Sequence, residues 1–202
     1  MELQKITVKL YAATGDQPKL SEFIPLFHRW IQQRALDELL IDVADYSHLP
    51  TGPGVILIGH EANYSIEYGA EKRLGVVCQS KKYRTSTNFE QLRYALKKAL
   101  AATQELVREI KLQSKLHFPG QETRLTIGNR SLVANSKAVW ERLKPDLTEI
   151  FDQLYPDQSY ALDLVSIDPR ERFAFQILND KEISIATLRQ RLNELRHIES
   201  EL

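Results

Sequence analysis

The chain has 202 residues, of which 43% are hydrophobic and 27% are charged, and these proportions are ordinary for a globular protein. Its single cysteine, Cys78, excludes an internal disulfide framework and a cysteine-based zinc site, and it fits a reducing compartment. Lys and Arg together number 27, as do Asp and Glu, so the basic excess typical of nucleic-acid-binding domains is missing. We expect a cytoplasmic protein outside the membrane, because no run of about eighteen apolar residues occurs and the N-terminus lacks a signal-peptide pattern.

The first half of the chain predicts four strands and two helices. Its strand segments show alternating or continuous apolar residues, whereas its helical segments repeat apolar residues at intervals of three and four. Thr87 and Glu90 have the spacing of a capping box, which marks the start of the second helix. The predicted elements in chain order are a strand at 6–11, a helix at 20–36, strands at 39–46, 55–58 and 74–79, and a helix at 88–111.

The second half predicts a similar succession of strands and helices. Gly128-Asn129 between two apolar segments is typical of a hairpin turn, and Ser136 is a typical helix N-cap. The apolar stripe of the last helix suits packing on its own domain, which we favour, or a contact between subunits. The predicted elements are strands at 124–127 and 132–133, a helix at 137–154, strands at 160–167 and 173–178, and a helix at 184–202.

This order predicts an α+β fold with a mostly antiparallel sheet and about four helices, in one compact domain over 1–202. Segment 23–31 lines up with segment 143–151, apolar on apolar and Pro on Pro, and a similar strand follows each. We therefore predict pseudo-duplicated β-α-β-β halves, over 1–115 and 116–202. Chance similarity between amphipathic units is the alternative.

The segment 39–68 combines dense turn chemistry with residues able to do acid–base or metal work, namely Asp42, Asp45, His48, His60 and Glu61. If the chain reverses near Thr51, antiparallel pairing places Asp42 beside His60. A carboxylate on one imidazole nitrogen fixes the tautomer of the other, as a general base or a metal ligand requires. The alternative is that Asp42 and His60 form a purely structural hydrogen-bonded pair at a strand end, with no catalytic or metal-binding role. His48 at the turn and Glu61 on the opposite face are supporting binding candidates.

No motif in the chain names a reaction or a cofactor. His60-Glu61 lacks the second histidine of a zinc-protease helix, since position 64 is Tyr64. The glycines at 52, 54 and 59 are not followed by the Gly-Lys-Ser/Thr of a phosphate loop. The cofactor and the metal are therefore left unassigned.

Basic residues dominate the segment 72–98, where Glu90 is the one acidic counterpart after position 72. A solvated basic face explains this pattern most simply. The alternative is a docking patch for an anionic partner at Lys81, Lys82 and Arg84, whose binding would weaken steeply with salt.

Three segments carry a resemblance to a known family: 26–31 (LFHRWI), 40–46 (LIDVADY), and 52–55 (GPGV) leading to 59–61 (GHE). They resemble a family of uncharacterised bacterial proteins of about this length. That family has no established activity, so the resemblance implies a bacterial, soluble, stand-alone protein and assigns no catalytic residue.

Two classes of function follow from the sequence. The leading hypothesis is a non-catalytic binding or assembly protein, homo-oligomeric or bound to a protein partner, that acts through a groove near 42–61 or through its long helices. The alternative is a small metal-dependent or acid–base hydrolase that uses Asp42 and His60 with help from Asp45, His48 or Glu61. Stoichiometric metal in the purified protein would distinguish them.

Overall fold

One antiparallel sheet contains all eight strands of the described residues. The computed structural model describes residues 3–15, 17–81, 87–109, 112, 115–156 and 158–195. The elements in chain order are β1 (Ile6–Tyr11), α1 (Phe23–Gln33), β2 (Leu40–Tyr46), β3 (Gly54–Gly59), β4 (Ala62–Glu67), β5 (Gly75–Ser80), α2 (Asn88–Arg108), β6 (Glu122–Ile127), α3 (Lys137–Leu154), β7 (Tyr160–Leu164), β8 (Ala174–Asn179) and α4 (Ile185–Glu194). The predicted α+β class with four helices is confirmed.

The strand order is β2-β3-β4-β5-β1-β6-β8-β7, so β1 and β6 pair in the interior of the sheet and β2 and β7 form its edges. β1 belongs to the first half of the chain and β6 to the second, and the sheet is continuous across them. β7 lies two strands from β6, whereas β2 lies four strands from β1. The first half therefore has an additional pair of strands, and the proposed duplication stays a prediction.

One face of the sheet is covered by the helices. Strand alternation brings Val8, Cys78 and Leu125 side by side on this face, and all three are fully buried. α2 lies over β1 and β5, α1 over β2 and β3, and α4 packs on α2 and α3. Trp140 of α3 contacts the ring of Phe175, with centroids 6.2 Å apart. The last helix thus packs on its own chain, as favoured from its stripe, and the predicted residues 196–202 lie outside the described ranges.

The opposite face of the sheet carries paired charges. Lys9 Nζ lies 3.2 Å from Glu71 Oε2, and Arg124 also bonds this carboxylate. Arg73 donates two hydrogen bonds to Glu122, of 2.7 and 2.6 Å. This division into an apolar and a polar face explains the alternating sequence pattern of the central strands.

The helix starts follow from their capping residues. Thr87 accepts a hydrogen bond from the backbone N–H of Glu90, and Ser136 accepts one from Val139, both at 3.3 Å. These contacts confirm the predicted N-caps of α2 and α3. α2 ends at Arg108, and residues 110 and 111 of the predicted helix are outside the described ranges.

Two predictions about strands are wrong. β4 was not predicted because polar Asn63 and Ser65 interrupt its apolar pattern, but these side chains lie on the face away from the helices. The hairpin around Gly128-Asn129 does not form, since β6 already has β1 and β8 on its two sides. Residues 132 and 133 instead form a turn in which both backbone N–H groups donate to Asn129 O.

None of the described helices combines the length and apolar character needed to cross a membrane.

Candidate functional site

The predicted Asp42–His60 pair does not form. β2 and β3 pair as a hairpin, but Asp42 lies opposite Ile58, two residues from the predicted register, and a bulge separates it from Leu40. His60 follows the end of β3, where its backbone N–H donates to Leu39 O and its side chain is exposed. The sequence identified the hairpin correctly but could not determine its register, because the turn is longer than a two-residue reversal.

Asp42 contacts its own strand. Its carboxylate accepts a 2.8 Å hydrogen bond from the backbone N–H of Val43. Because β2 is an edge strand, this bond occupies a backbone donor of the kind that could otherwise pair with another chain.

Asp45 lies near the end of β2, and His48 lies in the exposed turn that follows. The Asp45 carboxylate accepts a 2.8 Å hydrogen bond from Ser47 N. Hydrogen bonds from Ser47, aided by the nearby His48, lower the pKa of Asp45 below its usual value. These contacts stabilise the turn and do not extend to His60.

The predicted docking patch is described only at Lys81. Its side chain is exposed, and its Nζ donates a 2.7 Å hydrogen bond to Gly59 O. Lys82 and Arg84 lie outside the described residues, so the patch stays a prediction.

A different set of side chains meets where the β3–β4 turn approaches α2. We call it the Lys98 cluster, and its members are Glu38, Glu61, Tyr64, Tyr94 and Lys98. Of these, Glu61 was a predicted site residue. They come from four parts of the chain: the segment before β2, the β3–β4 turn, β4 and α2.

The Glu38 side chain is 1% exposed, and four donor groups surround its carboxylate. Its Oε2 receives the backbone N–H groups of Glu61 at 2.7 Å and Ala62 at 3.1 Å. Its Oε1 receives the Tyr64 hydroxyl and lies 3.2 Å from Lys98 Nζ. A buried carboxylate is costly unless it is paired and hydrogen-bonded, and here both conditions are met.

Each N–H group of the Lys98 ammonium has an acceptor within reach. Nζ lies 3.2 Å from Glu38 Oε1, 2.8 Å from Glu61 Oε2 and 3.2 Å from the backbone oxygen of Asp37. An ammonium has three N–H groups, so these three acceptors match its donors. The side chain, 12% exposed, is thereby fixed in one orientation.

Glu61 and Tyr94 form the solvent side of the cluster. The Tyr94 hydroxyl donates a 2.6 Å hydrogen bond to Glu61 Oε2, the same oxygen that receives Lys98. Lys98 Nζ also lies 5.6 Å from the centre of the Tyr94 ring, within range of a cation–π contact. Glu61 is 23% exposed, so it links the buried charges to the surface.

Burial sets the protonation states in and under the cluster. It raises the pKa of the Tyr64 hydroxyl, and nearby Cys78 and Glu38 raise it further. Burial, with Glu38 close by, also raises the pKa of the Cys78 thiol. Burial opposes the charged form of Lys98, but the hydrogen bond to Glu61 and the charge of Glu38 outweigh it and raise the Lys98 pKa. At neutral pH Lys98 is charged, whereas Tyr64 and Cys78 are protonated.

Gly59 allows Glu38 to reach the β3–β4 turn. A Cβ atom on Gly59 would lie 2.5 Å from Glu38 Oε2 and 2.6 Å from the backbone oxygen of Ala62. Contacts this short are sterically forbidden, so only glycine permits the carboxylate to approach the two backbone donors.

Three members of the Lys98 cluster, Glu61, Tyr94 and Lys98, line a cleft of about 400 Å³. The α2 residues that line it, Tyr94, Lys97, Lys98 and Ala101, are spaced so that they share one helix face. The remaining walls come from Asp37 before β2, Glu61 after β3 and Arg189 of α4. Charged groups of both signs therefore converge on one opening.

A metal centre finds no support in the described part of the chain. No three His, Cys, Asp or Glu side chains come together there in an arrangement that could hold a metal ion. The cluster's carboxylates are instead compensated by Lys98 and by backbone N–H groups.

Comparisons with known proteins returned no match to this chain from protein-family models, curated proteins or solved structures. The assignment of function therefore depends on the geometry of this site.

Sequence reasoning missed most of the Lys98 cluster. Lys98 sits in a basic segment next to Lys97, and nothing in the pattern distinguishes the buried lysine from the exposed one. Tyr94 and Lys98 at an i, i+4 spacing beside the apolar stripe of α2 were the available signal. Glu38 lies outside any motif, because only the fold brings its partners close, namely two backbone N–H groups, Tyr64 and Lys98.

Proposed function

We propose that this chain is a non-catalytic binding protein and that its ligand binds in the cleft above Lys98. The observation that carries the proposal is the convergence of four chain segments on one cleft whose charged floor is held by hydrogen bonds. The hydrogen-bonded floor is preorganised, so Glu61, Tyr94 and Lys98 lose little freedom when a ligand binds. The volume of about 400 Å³ falls in the range of small-molecule sites.

The protonation states favour binding over acid–base catalysis. A general acid or base works best when its pKa lies near the operating pH. The pKa values of Lys98 and Tyr64 are both raised, away from neutrality. Lys98 also has no donor left for a substrate, since its three N–H groups meet Asp37, Glu38 and Glu61.

The hydrolase alternative has lost the geometry that motivated it, because Asp42 lies opposite Ile58 and not His60. The homo-oligomeric state stays a prediction, as does an anionic partner at Lys81, Lys82 and Arg84. Sedimentation at several protein concentrations tests the first, and the salt dependence of binding to an added polyanion such as heparin tests the second.

Binding in the cleft can be tested with four small probes of different charge: L-leucine, succinate, putrescine and inorganic phosphate. Each is titrated to about 20 mM, which detects millimolar affinity, while backbone amide NMR shifts are recorded. We expect at least one probe to produce saturable shifts centred on Asp37, Glu61, Tyr94, Lys97 and Arg189. If all four leave these amides unchanged, the proposal is wrong.

A matched pair of variants locates the binding. Ala101→Trp places a large side chain in the cleft, so it should abolish the shifts. Ala138→Trp, at an exposed position of α3 away from the cleft, should retain them. Equal responses from the two variants would place the probe elsewhere on the protein.

A further inference from the structure

We infer that the cleft takes a small zwitterion, namely a free α-amino acid with an apolar side chain. This inference rests on the proposed function and adds the chemistry of the ligand. It follows from three sets of residues that line the cleft: a positive part, a negative part and an apolar part.

The positive part consists of Lys97 and Arg189. Lys97 is exposed on α2, Arg189 is half-buried on α4, and both line the cleft. Within the described ranges neither side chain has a hydrogen bond or an ion pair. A guanidinium offers paired N–H donors that match the two oxygens of a carboxylate, and an ammonium nearby strengthens the attraction. The carboxylate of the ligand therefore belongs with these two side chains.

The negative part consists of Asp37, supported by the Lys98 cluster. The Asp37 carboxylate is exposed and, among the residues that the structure describes, unpaired. Behind it, Lys98 bonds the carboxylates of Glu38 and Glu61. An ammonium group on the ligand would be attracted to the Asp37 carboxylate. Lys98 acts here as a positioning residue that holds Glu61 in the wall.

The remaining wall is less polar. Ala101 and the ring of Tyr94 lie on α2 one turn on either side of the Lys97–Lys98 pair. They provide apolar surface for a short side chain. The volume of about 400 Å³ accommodates an amino acid and restricts longer peptides.

Ligands whose charges are all of one sign fit this cleft less well. A dianion would bring a second negative charge into a cleft that Asp37 also lines, whereas a diamine would bring a second positive charge beside Lys97 or Arg189. Like charges in one cleft repel, and their desolvation is not compensated. A zwitterion offers a partner to lining groups of both signs.

The test is calorimetric titration of the full chain with three related probes. L-leucine carries both charges, N-acetyl-L-leucine lacks the ammonium, and L-leucinamide lacks the carboxylate. We expect L-leucine to bind at least about tenfold more tightly than either derivative, since each charge-assisted contact is worth about that factor.

Two variants assign the ends of the ligand. Arg189→Gln should weaken L-leucine about tenfold and leave the affinity for L-leucinamide unchanged. Asp37→Asn should weaken L-leucine and leave N-acetyl-L-leucine unchanged. Arg172→Gln and Asp180→Asn remove the same charges from exposed positions outside the cleft and should have no effect.

The outcomes separate this inference from the proposed function. If a derivative binds as tightly as L-leucine, or if succinate, putrescine or phosphate shifts the cleft amides while L-leucine does not, the zwitterion is wrong and the binding cleft stands. If none of the probes shifts the cleft amides, both proposals are wrong. Equal losses from Arg189→Gln and Arg172→Gln would indicate general electrostatic attraction and would also overturn the zwitterion.

Discussion

Lys98 and Glu38 form an ion pair of 3.2 Å whose two side chains are 12% and 1% exposed. A buried pair of this kind makes the protein sensitive to the loss of either partner, because the remaining charge cannot reach water. The same property makes the pair a rigid base for the cleft above it.

Replacing Lys98 by methionine should strongly destabilise the protein. The Glu38 and Glu61 carboxylates would lose their shared cation, and breaking a buried pair in this way costs about 3–5 kcal/mol. Urea unfolding measures the change in the free energy of unfolding. Lys97→Met, at the exposed neighbouring position, should change it by less than about 0.5 kcal/mol. Similar losses from the two variants would contradict the assigned role of Lys98.

Stability should fall as the pH rises above about 10. Burial raises the pKa of Tyr155 to about 12, from an ordinary value of 10.0. Between these values the unfolded chain releases the phenolic proton while the folded chain keeps it, so the free energy of unfolding decreases with pH. The contribution of Tyr155 is complete below pH 10.0 and is lost as the pH approaches 12. The raised pKa of Lys98 acts in the same direction at alkaline pH.

Tyr155→Phe isolates one part of this dependence. The variant lacks this titrating proton. Between pH 10 and 12 the free energy of unfolding should therefore fall less steeply with pH, by up to about 1.4 kcal/mol per pH unit. Urea unfolding at several pH values in the window provides the slope, and Tyr46→Phe, which removes a phenol that is 41% exposed, serves as the control. A Tyr155→Phe slope as steep as that of the natural chain would contradict the prediction.

Gly59→Ala should disrupt the cluster without changing any charge. The new methyl group would meet Glu38 Oε2 and the backbone oxygen of Ala62, so either the carboxylate or the β3–β4 turn must move. Overpacking of this kind costs about 1–3 kcal/mol. His60→Ala, at the next position, removes an exposed side chain and should be nearly neutral in thermal unfolding. If Gly59→Ala unfolds at the same temperature as the natural chain, the prediction is wrong, and the turn can move without loss of stability.

The sequence predicted the fold better than it predicted the site. Helices α2 and α3 were found because Thr87 and Ser136 cap them through local contacts that a sequence displays directly. β4 was missed because polar Asn63 and Ser65 can occupy a central strand once one face of the sheet lies away from the helices. Local rules therefore worked for helix ends and failed where a strand depends on its neighbours.

The site was missed for a related reason. Glu38 and Lys98 are sixty positions apart, and they meet because both contact Glu61 of the β3–β4 turn. The choice of Asp42 and His60 depended on hairpin register, which shifts by whole residues with the length of the turn. Glu61 was predicted as a site residue, but as a neighbour of His60 and without its partner Lys98.

Asp42→Ala should increase self-association through β2. In the natural chain the Asp42 carboxylate accepts the Val43 N–H on an edge strand, beside exposed Leu39 and Ile41. An unpaired backbone edge with apolar side chains pairs readily with another strand, and charged residues on an edge suppress this. Sedimentation velocity over a range of concentrations should therefore show more dimer or aggregate for Asp42→Ala than for the natural chain. Glu141→Ala removes the same charge from an exposed position of α3 and should leave association unchanged, so an equal rise in both variants would attribute the effect to charge alone.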